Sequence, residues 1–391
     1  MKGNDKMQIY LNNASTTKPD KSALNDFMWC AENCWHNPSD LSEESLSSKE
    51  IIENAQKQIA ESINAQPEEI IFTSGGSESN NWAIKGYLDR YRGVTTIITT
   101  EIEHPSVYNT CKYFENKGYK LVYTPVDTYG RVDVVKLENL IADNSYLFPF
   151  VSIMMANNEI GTINNIAAIS KVIHRYGGTL HVDAVQAYMH TPIDVQELGI
   201  DLMSTSFHKF GGFKGSGFLY IRNGIELSPL IHGGHQFKSK RAGTENVPMI
   251  YAMGNQVEKY NKYFAGLTAI IKELYDYLIV QVYDKCKDCA VYLNGHPSDR
   301  LYNNISFTFE GIDSHTLIAL LEQEGIYVSA GSACCSGDMT PSRVLKAIGL
   351  NDNDAFNTIR ISIDYKITKK DIDFFVDKLS MCIKSIQTFI N

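Results

Sequence analysis

The sequence predicts an α/β protein in which helices cover a mostly parallel sheet, followed by a smaller α+β domain. Short apolar runs rich in β-branched residues alternate with helical patterns through the middle of the 391-residue chain. Most of the polar motifs lie just beyond such a run, and the pattern changes near residue 250. Hydrophobic residues at 43% and charged residues at 21% are typical of a globular protein, and the length suffices for two domains.

The first part of the chain supplies two clear helical patterns and a series of strands. Helical periodicity covers residues 48–64 and 78–90. Seven short apolar runs are the predicted strands: residues 69–73, 95–99, 120–124, 150–154, 180–182, 202–204 and 218–221. Ligands of such sheets bind at the carboxyl ends of the strands, so the motifs beyond these runs are expected to meet there.

Beyond residue 250 the order of the elements changes. A long helical pattern covers residues 256–283, strand-like runs follow at 304–309 and 326–328, and helices are expected near 341–348 and 370–386. This order is typical of an α+β domain. We therefore expect residues 16–250 to form a large domain and residues 251–391 to form a small one.

Charge and hydropathy argue against two classes of partner. The formal net charge is −9 and no basic run offsets it, which argues against a nucleic-acid surface. No apolar stretch approaches the ~20 residues that a membrane span requires. The polar first six residues lack the apolar core of a signal peptide, so we expect a cytoplasmic protein.

The eight cysteines do not indicate a disulfide framework in a chain of this length. Cys30 and Cys34 form one close pair, and Cys286 and Cys289 form another. A structural zinc site needs two suitably spaced pairs, whereas these two are far apart and the first has the i,i+4 spacing of a helix. We expect ordinary thiols and no metal.

The run from Ser204 to Gly212 is the most informative part of the sequence. In it Lys209 follows hydroxyls and a histidine and precedes two glycines, an arrangement that suits a Schiff base with a cofactor aldehyde. Upstream, Asp183 ends an apolar run and Gln186 follows three residues later. Pyridoxal phosphate (PLP) needs an aspartate that keeps its ring nitrogen protonated. The two runs together predict a PLP site.

Further runs follow in an order that is typical of one family. They are residues 9–17, 37–39, 71–81, 103–105, 156–161, 241–246, 329–334 and 358–362. Together with the runs around Lys209 and Asp183, they resemble the class V aminotransferases and, within them, the NifS/IscS-like cysteine desulfurases. The resemblance extends from about residue 9 to about residue 365.

The resemblance implies a fold and a reaction. The fold is that of PLP-dependent transferases of fold type I, with a seven-stranded sheet in the large domain and residues 1–15 packing with the small domain. The reaction converts L-cysteine to L-alanine and passes the sulfur to an enzyme cysteine as a persulfide. It implies a homodimer, a sulfur-acceptor protein as partner, and a role in the assembly of iron–sulfur clusters or thio-cofactors.

The resemblance also assigns the residues that bind the cofactor. They are Gly76, Ser77, His104, Asn158, Asp183, Gln186, Ser206, His208, Lys209 and, from the partner subunit, Thr244. Gly76 and Ser77 open a predicted helix, whose first backbone N–H groups suit a phosphate. Asn157 remains an alternative to Asn158, because the sequence barely separates the two.

The same resemblance assigns the residues that act on the substrate. Lys209 would move the Cα proton, and His104 would stack on the ring and shuttle protons. Arg360 would clamp the substrate carboxylate, with Asn37 assisting. Cys334 lies in a run of small residues, where its thiolate could attack the substrate sulfur. Cys335 beside it is interpreted as an adventitious thiol rather than a sulfur relay.

Several positions depart from the family pattern. Asn12 replaces an aspartate, Ser42 a histidine and Asp364 a glycine, while Phe237 ends a run that usually ends in glutamate. These departures lie in segments expected near the substrate entrance or the dimer interface, so they bear on the substrate rather than on the cofactor. A selenocysteine lyase, another PLP-dependent lyase or aminotransferase, and a non-catalytic scaffold that has kept the fold therefore remain alternatives.

Overall fold

The two largest hydrophobic clusters, the first and the second core, organise the fold. The computed structural model describes residues 8–143, 148–330 and 340–390. Its helices are α1 (Lys21–Asn33), α2 (Glu43–Glu61), α3 (Gly76–Arg90), α4 (Pro105–Glu115), α5 (Val134–Asp143), α6 (Ile166–Arg175), the one-turn α7 (Gln236–Ser239), α8 (Val247–Lys285), α9 (Ser314–Gln323), α10 (Arg343–Ala347), α11 (Asp352–Phe356) and α12 (Lys369–Ile390). Its strands are β1 (Ile9–Tyr10), β2 (Ile70–Thr73), β3 (Thr96–Thr99), β4 (Lys120–Tyr123), β5 (Phe150–Met154), β6 (Thr179–Asp183), β7 (Leu202–Ser204), β8 (Gly217–Ile221), β9 (Val291–Asn294), β10 (Asn304–Phe309), β11 (Ile326–Tyr327), β12 (Ser329–Ala330) and β13 (Thr358–Ser362).

The larger sheet carries the first core. Its seven strands lie in the order β2-β8-β7-β6-β5-β3-β4. Strand β8 runs antiparallel to both of its neighbours, and the other pairs are parallel. Every residue of β5 is buried, as expected for a central strand that is covered on both faces. The predicted α/β fold with a mostly parallel seven-stranded sheet is confirmed.

The second core surrounds an antiparallel sheet of four strands in the order β12-β13-β10-β9. Phe307 on β10, Leu321 on α9 and Phe375 on α12 are buried in it. The start of the chain joins this core, because β1 pairs in parallel with β11 and places Ile9 opposite Ile326. The N-terminal strand therefore packs with elements from the other end of the chain.

Helices α2 and α8 begin well before their periodicity predicted. Helix α2 begins at Glu43 rather than at residue 48, and α8 begins at Val247 rather than near residue 256. The Asn246 side chain accepts a hydrogen bond from the Met249 N–H, and Pro248 lies in the first turn. Both features are typical of a helix start, so the capping residues mark this boundary where the periodicity did not.

Helix α8 extends through both cores. Ile250 and Val257 on its first turns are buried in the first core, whereas Leu274 and Leu278 are buried in the second. The division at residue 250 falls inside this helix. The domain ranges 16–250 and 251–391 therefore stay predictions. Among the helices of the described ranges, none combines the length and the apolar character that crossing a membrane requires.

The buried Arg300 ties the two cores together. Its side chain donates hydrogen bonds to the carbonyl oxygens of Asn294 (3.2 Å) and Asn304 (2.8 Å) beside the second core. A third goes to the carbonyl oxygen of Ile160 (3.2 Å), which lies beyond β5 of the larger sheet. Its guanidinium also lies over the Tyr275 ring, 5.4 Å from the centroid. Since Arg300 is only 2% exposed, these backbone dipoles replace its water.

Replacing Arg300 by methionine should destabilise the protein. The carbonyl oxygens would remain buried without their donor, so we expect the free energy of unfolding to fall by about 3 kcal/mol. Denaturant unfolding of Arg300→Met measures this. The control is Arg92→Met, because the Arg92 side chain is 85% exposed and its loss should change stability little. Equal unfolding midpoints for the two variants would contradict the role of Arg300.

Candidate active site

The largest concentration of polar motifs lines one cavity of about 590 Å³. It lies at the carboxyl ends of strands of the larger sheet, where the chain leaves β2, β3, β5, β6 and β7. Residues of the second core close its other side. The sequence-predicted residues that line it are Gly76, Ser77, His104, Asn158, Asp183, Gln186, Ser206, His208, Lys209 and Arg360.

The N-terminus of α3 forms one end of the cavity. Gly75 before it has φ +133°, a backbone conformation that favours glycine. A Cβ on Gly76 would lie 2.5 Å from Cγ2 of Val185, so only glycine lets the chain pass this close. The first N–H groups of a helix of this length have no partner within the helix and attract anions. Ser77 and Ser206 add hydroxyl groups at the same end.

Asp183 forms the floor of the cavity at the end of β6. It is 4% exposed, so its carboxylate depends on hydrogen bonds from the protein. Oδ1 accepts from the Val185 N–H at 3.0 Å, and Oδ2 accepts from Nδ2 of Asn80 at 2.7 Å. Two donors do not exhaust the lone pairs of a carboxylate, so Asp183 can accept a further N–H from a molecule in the cavity.

The amine of Lys209 projects from the turn after β7. Its Nζ donates to the carbonyl oxygens of Ala14 and Ser15, each at 2.8 Å. Burial and, next, the positive charge of Arg360 lower its pKa to about 8, while Asp183 opposes the shift. A substantial share of the amine is therefore neutral near pH 7.5, which a nucleophilic lysine requires.

Gln186 and His208 are held by the same N-terminal segment. Nε2 of Gln186 donates to the Ala14 carbonyl oxygen at 2.9 Å. Nδ1 of His208 lies 3.1 Å from Oγ1 of Thr16. Burial lowers the pKa of His208 to about 4, with Lys209 and Lys214 adding to the shift, so its ring is neutral at ordinary pH.

Arg360 on β13 places a cation at the wall that the second core contributes. It donates to the carbonyl oxygen of Asn158 at 2.9 Å, to Oδ1 of Asn12 at 2.8 Å and to Oγ of Ser15 at 2.6 Å. No carboxylate faces it directly in these contacts, so the charge stays available to an anionic ligand. Asn12, one of the departures, thus supplies a neutral oxygen where aspartate would supply a charge.

Two of the predicted residues do not line this cavity, and a third lies outside the described residues. Asn37 is exposed, and its side chain accepts from the Ser39 N–H. Thr244 lies on the loop before α8 and does not line the cavity. Cys334 lies outside the described residues, but Ala330 before it and Thr340 after it both line the cavity.

The other departures make local contacts and do not line this cavity. Ser42 caps α2 by accepting from the Ser45 N–H at 3.2 Å. The Phe237 ring packs at 6.0 Å from that of Phe72, although Phe237 and its next two neighbours all have left-handed φ. Asp364 lies 3.8 Å from Lys366.

The sequence did not single out several polar residues of the cavity wall. Burial raises the pKa of Glu103 to about 8 and that of Glu159 to about 7. Glu159 accepts from Oγ of Ser342, and Arg343 donates to the Glu103 carbonyl oxygen, both at 2.5 Å. Asn80 and Ser106 were also missed. The only available signal was their place inside or beside the motifs, because their partners are distant in sequence.

The chain is similar to known proteins over nearly its full length. The family model described as aminotransferase class-V matches residues 9–375. Cysteine desulfurase IscS of Methanosarcina thermophila is 41% identical over 381 residues, which cover 97% of this chain and 93% of that protein. A solved NifS-like protein has a TM-score of 0.90 at 33% identity, covering 97% of this chain and 100% of its own. A structure of SspA in complex with cysteine has a TM-score of 0.81 at 32% identity, and the match covers 93% of this chain and 100% of that one.

The ionisation of Lys209 can be measured directly. Reductive methylation of the PLP-free protein with isotope-labelled methyl groups, followed by NMR, should show Lys209 titrating near pH 8, with the neutral amine above that pH. Lys209→Gln assigns the signal. Arg360→Gln should raise the midpoint, since it removes a neighbouring positive charge. A midpoint that stays the same in Arg360→Gln would show that the two charges do not interact.

Proposed function

The chain belongs to the class V aminotransferase family, and we propose that it acts there as a PLP-dependent cysteine desulfurase. The proposed reaction converts L-cysteine to L-alanine and leaves the sulfur on Cys334 as a persulfide. The observation that carries the proposal is one cavity that holds an amine, an acceptor carboxylate, a helix N-terminus and an arginine. The relatives named cysteine desulfurase support the substrate.

The residues present fit PLP. The N-terminus of α3 offers backbone N–H groups to the cavity, where Gly76, Ser77, Ser206 and His208 would hold a phosphate. Asp183 has spare acceptor capacity for the ring nitrogen, and the lowered pKa of Lys209 suits its bond to the cofactor aldehyde. When bound, PLP supplies an electron sink that weakens the bonds at the substrate α-carbon. Asn158, Gln186 and His104 would contact its ring.

Lys209 and Arg360 have separate roles toward the substrate, one in proton transfer and the other in binding. Arg360 binds the carboxylate through its guanidinium fork and so fixes the orientation of the amino acid. Nζ of Lys209 then takes the Cα proton and later returns a proton to the product. Both side chains donate hydrogen bonds to the segment that contains Asn12, Ala14 and Ser15. This shared segment fixes the position of the amine relative to the guanidinium group.

Cys334 completes the proposed reaction. Its thiolate attacks the sulfur of the bound cysteine, an S–S bond forms as the Cβ–S bond breaks, and the bonding pair left on carbon takes up a proton to give alanine. No external oxidant is needed, because the thiol and L-cysteine together balance the persulfide and L-alanine. The proposal is supported by the covalent chain, since Cys334 follows the cavity residue Ala330 by four positions.

We also propose a homodimer and a sulfur-acceptor protein. Met28, Trp29, Trp35 and Leu41 are 54%, 50%, 70% and 97% exposed, and apolar side chains this open commonly mark an interface. In the homodimer Thr244 would reach the phosphate of the other subunit. The acceptor would take the persulfide sulfur from Cys334 for iron–sulfur clusters or thio-cofactors.

Cys334→Ala should keep PLP and lose persulfide formation. Purified, PLP-loaded protein is incubated with L-cysteine, alanine is assayed, and non-reducing mass spectrometry maps the added sulfur. We expect alanine together with sulfur on Cys334 in the wild type, and neither in Cys334→Ala. Cys335→Ala is the matched control and should behave as the wild type. Unchanged alanine release in Cys334→Ala would reject the persulfide role, and no alanine from the wild type would reject the activity.

A further inference from the structure

The ring of His104 is held from one side by a chain of hydrogen bonds. Its Nδ1 accepts a hydrogen bond from the Ser106 backbone N–H at 3.1 Å. This hydrogen bond caps the N-terminus of α4. The Ser106 hydroxyl lies 2.7 Å from the same Nδ1. A nitrogen that accepts an N–H carries no proton of its own, so the proton of the neutral ring sits on Nε2.

Asn80 sets the direction of this chain. Its Nδ2 donates to Oδ2 of Asp183 at 2.7 Å and to Oγ of Ser106 at 2.8 Å, which uses both of its hydrogens. Because the Ser106 oxygen accepts from Asn80, its own proton is free to point at Nδ1 of His104. Asn80 is 1% exposed and Asp183 is 4% exposed, so water does not compete for these bonds.

The charges around His104 agree with a neutral ring. Partial desolvation lowers its pKa most, although the side chain stays exposed toward the cavity. Lys209 and Arg343 lower it further, and Asp183 opposes them. These charged groups belong to the turn after β7, to α10 and to β6 respectively.

We propose that Asn80 and Ser106 are positioning residues that hold His104 as its Nε2–H form, so that His104 offers the substrate a hydrogen-bond donor and not a base. This inference deepens the proposed function and rests on it. An amide nitrogen does not pass protons on, so the chain from Asp183 to His104 orients groups without relaying a proton. Movement of the Cα proton is then left to Lys209.

NMR of isotope-labelled histidine in the full-length, PLP-loaded protein tests the proposal. Long-range correlation spectra show which ring nitrogen is protonated, and His104→Gln assigns the signal. We expect Nε2 to be protonated in the wild type. In Ser106→Ala the backbone N–H still donates to Nδ1, so we expect Nε2 to stay protonated. The pKa of His104 should rise, because one of the two donors to the neutral ring is lost. Ser106→Thr keeps the hydroxyl and should restore the wild-type pKa.

A matched control separates this effect from a general loss of helix structure. Ser22 is also the second residue of a helix and also lies beside an amide side chain, that of Gln256. Ser22→Ala should leave the pKa of His104 unchanged. A proton on Nδ1 in the wild type, or an unchanged pKa of His104 in Ser106→Ala, would overturn the proposal. Failure of the wild type to make alanine would reject the activity and leave this spectral test readable.

Kinetics give a second test. The side-chain nitrogen of glutamine reaches the place of Nε2, whereas that of asparagine reaches only the place of Nδ1. If His104 is a donor, His104→Gln should retain about tenfold more kcat than His104→Asn, a difference of about 1.4 kcal/mol in the barrier. Equal losses in the two variants would contradict the donor role.

Discussion

Two side chains of the active site donate to a single backbone oxygen, that of Ala14. Lys209 and Gln186 both bond to it, and Arg360 bonds to Asn12 and Ser15 on either side. The same segment is fixed to the second core, because the Ser362 N–H donates to the Leu11 carbonyl oxygen at 2.7 Å. The relative placement of amine and guanidinium therefore depends on a short stretch that neither core contains by itself. A shift of this stretch would move both groups together.

Burial tunes the charges of the cavity as much as direct pairing does. It holds Lys209 partly neutral and His208 fully neutral near pH 7, and it keeps Glu103 and Glu159 partly protonated. Carboxylic acids and amines brought close to their ionisation points are typical of sites that move protons. The Ser342 hydroxyl donates to the Glu159 carboxyl group, and the Arg343 side chain donates to the backbone carbonyl oxygen of Glu103. The start of α10 is thus tied to the wall of the cavity.

The sequence predicted the elements that carry strong local signals. The strands were found because they are apolar and β-branched, and Lys209 and Asp183 were found because each follows such a strand. Asn80 and Ser106 were not assigned roles. Asn80 is 103 residues from its partner Asp183 and 26 residues from Ser106, and only the folded sheet brings these residues together. The start of α8 was missed since its first two turns carry no clear periodicity, although the cap at Asn246 was visible. Contributions from a second subunit could come only from the family resemblance.

Helix α8 is a stiff connection between the two cores. Its 39 residues make a rod of about 58 Å with one end in each core. A tilt of about 5° at one end would carry the other end about 5 Å, so small adjustments beside the larger sheet are magnified at the far core. An unbroken helix resists bending where a flexible linker would yield. The unbroken helix therefore sets the spacing of the two cores more firmly than a loop of the same length would.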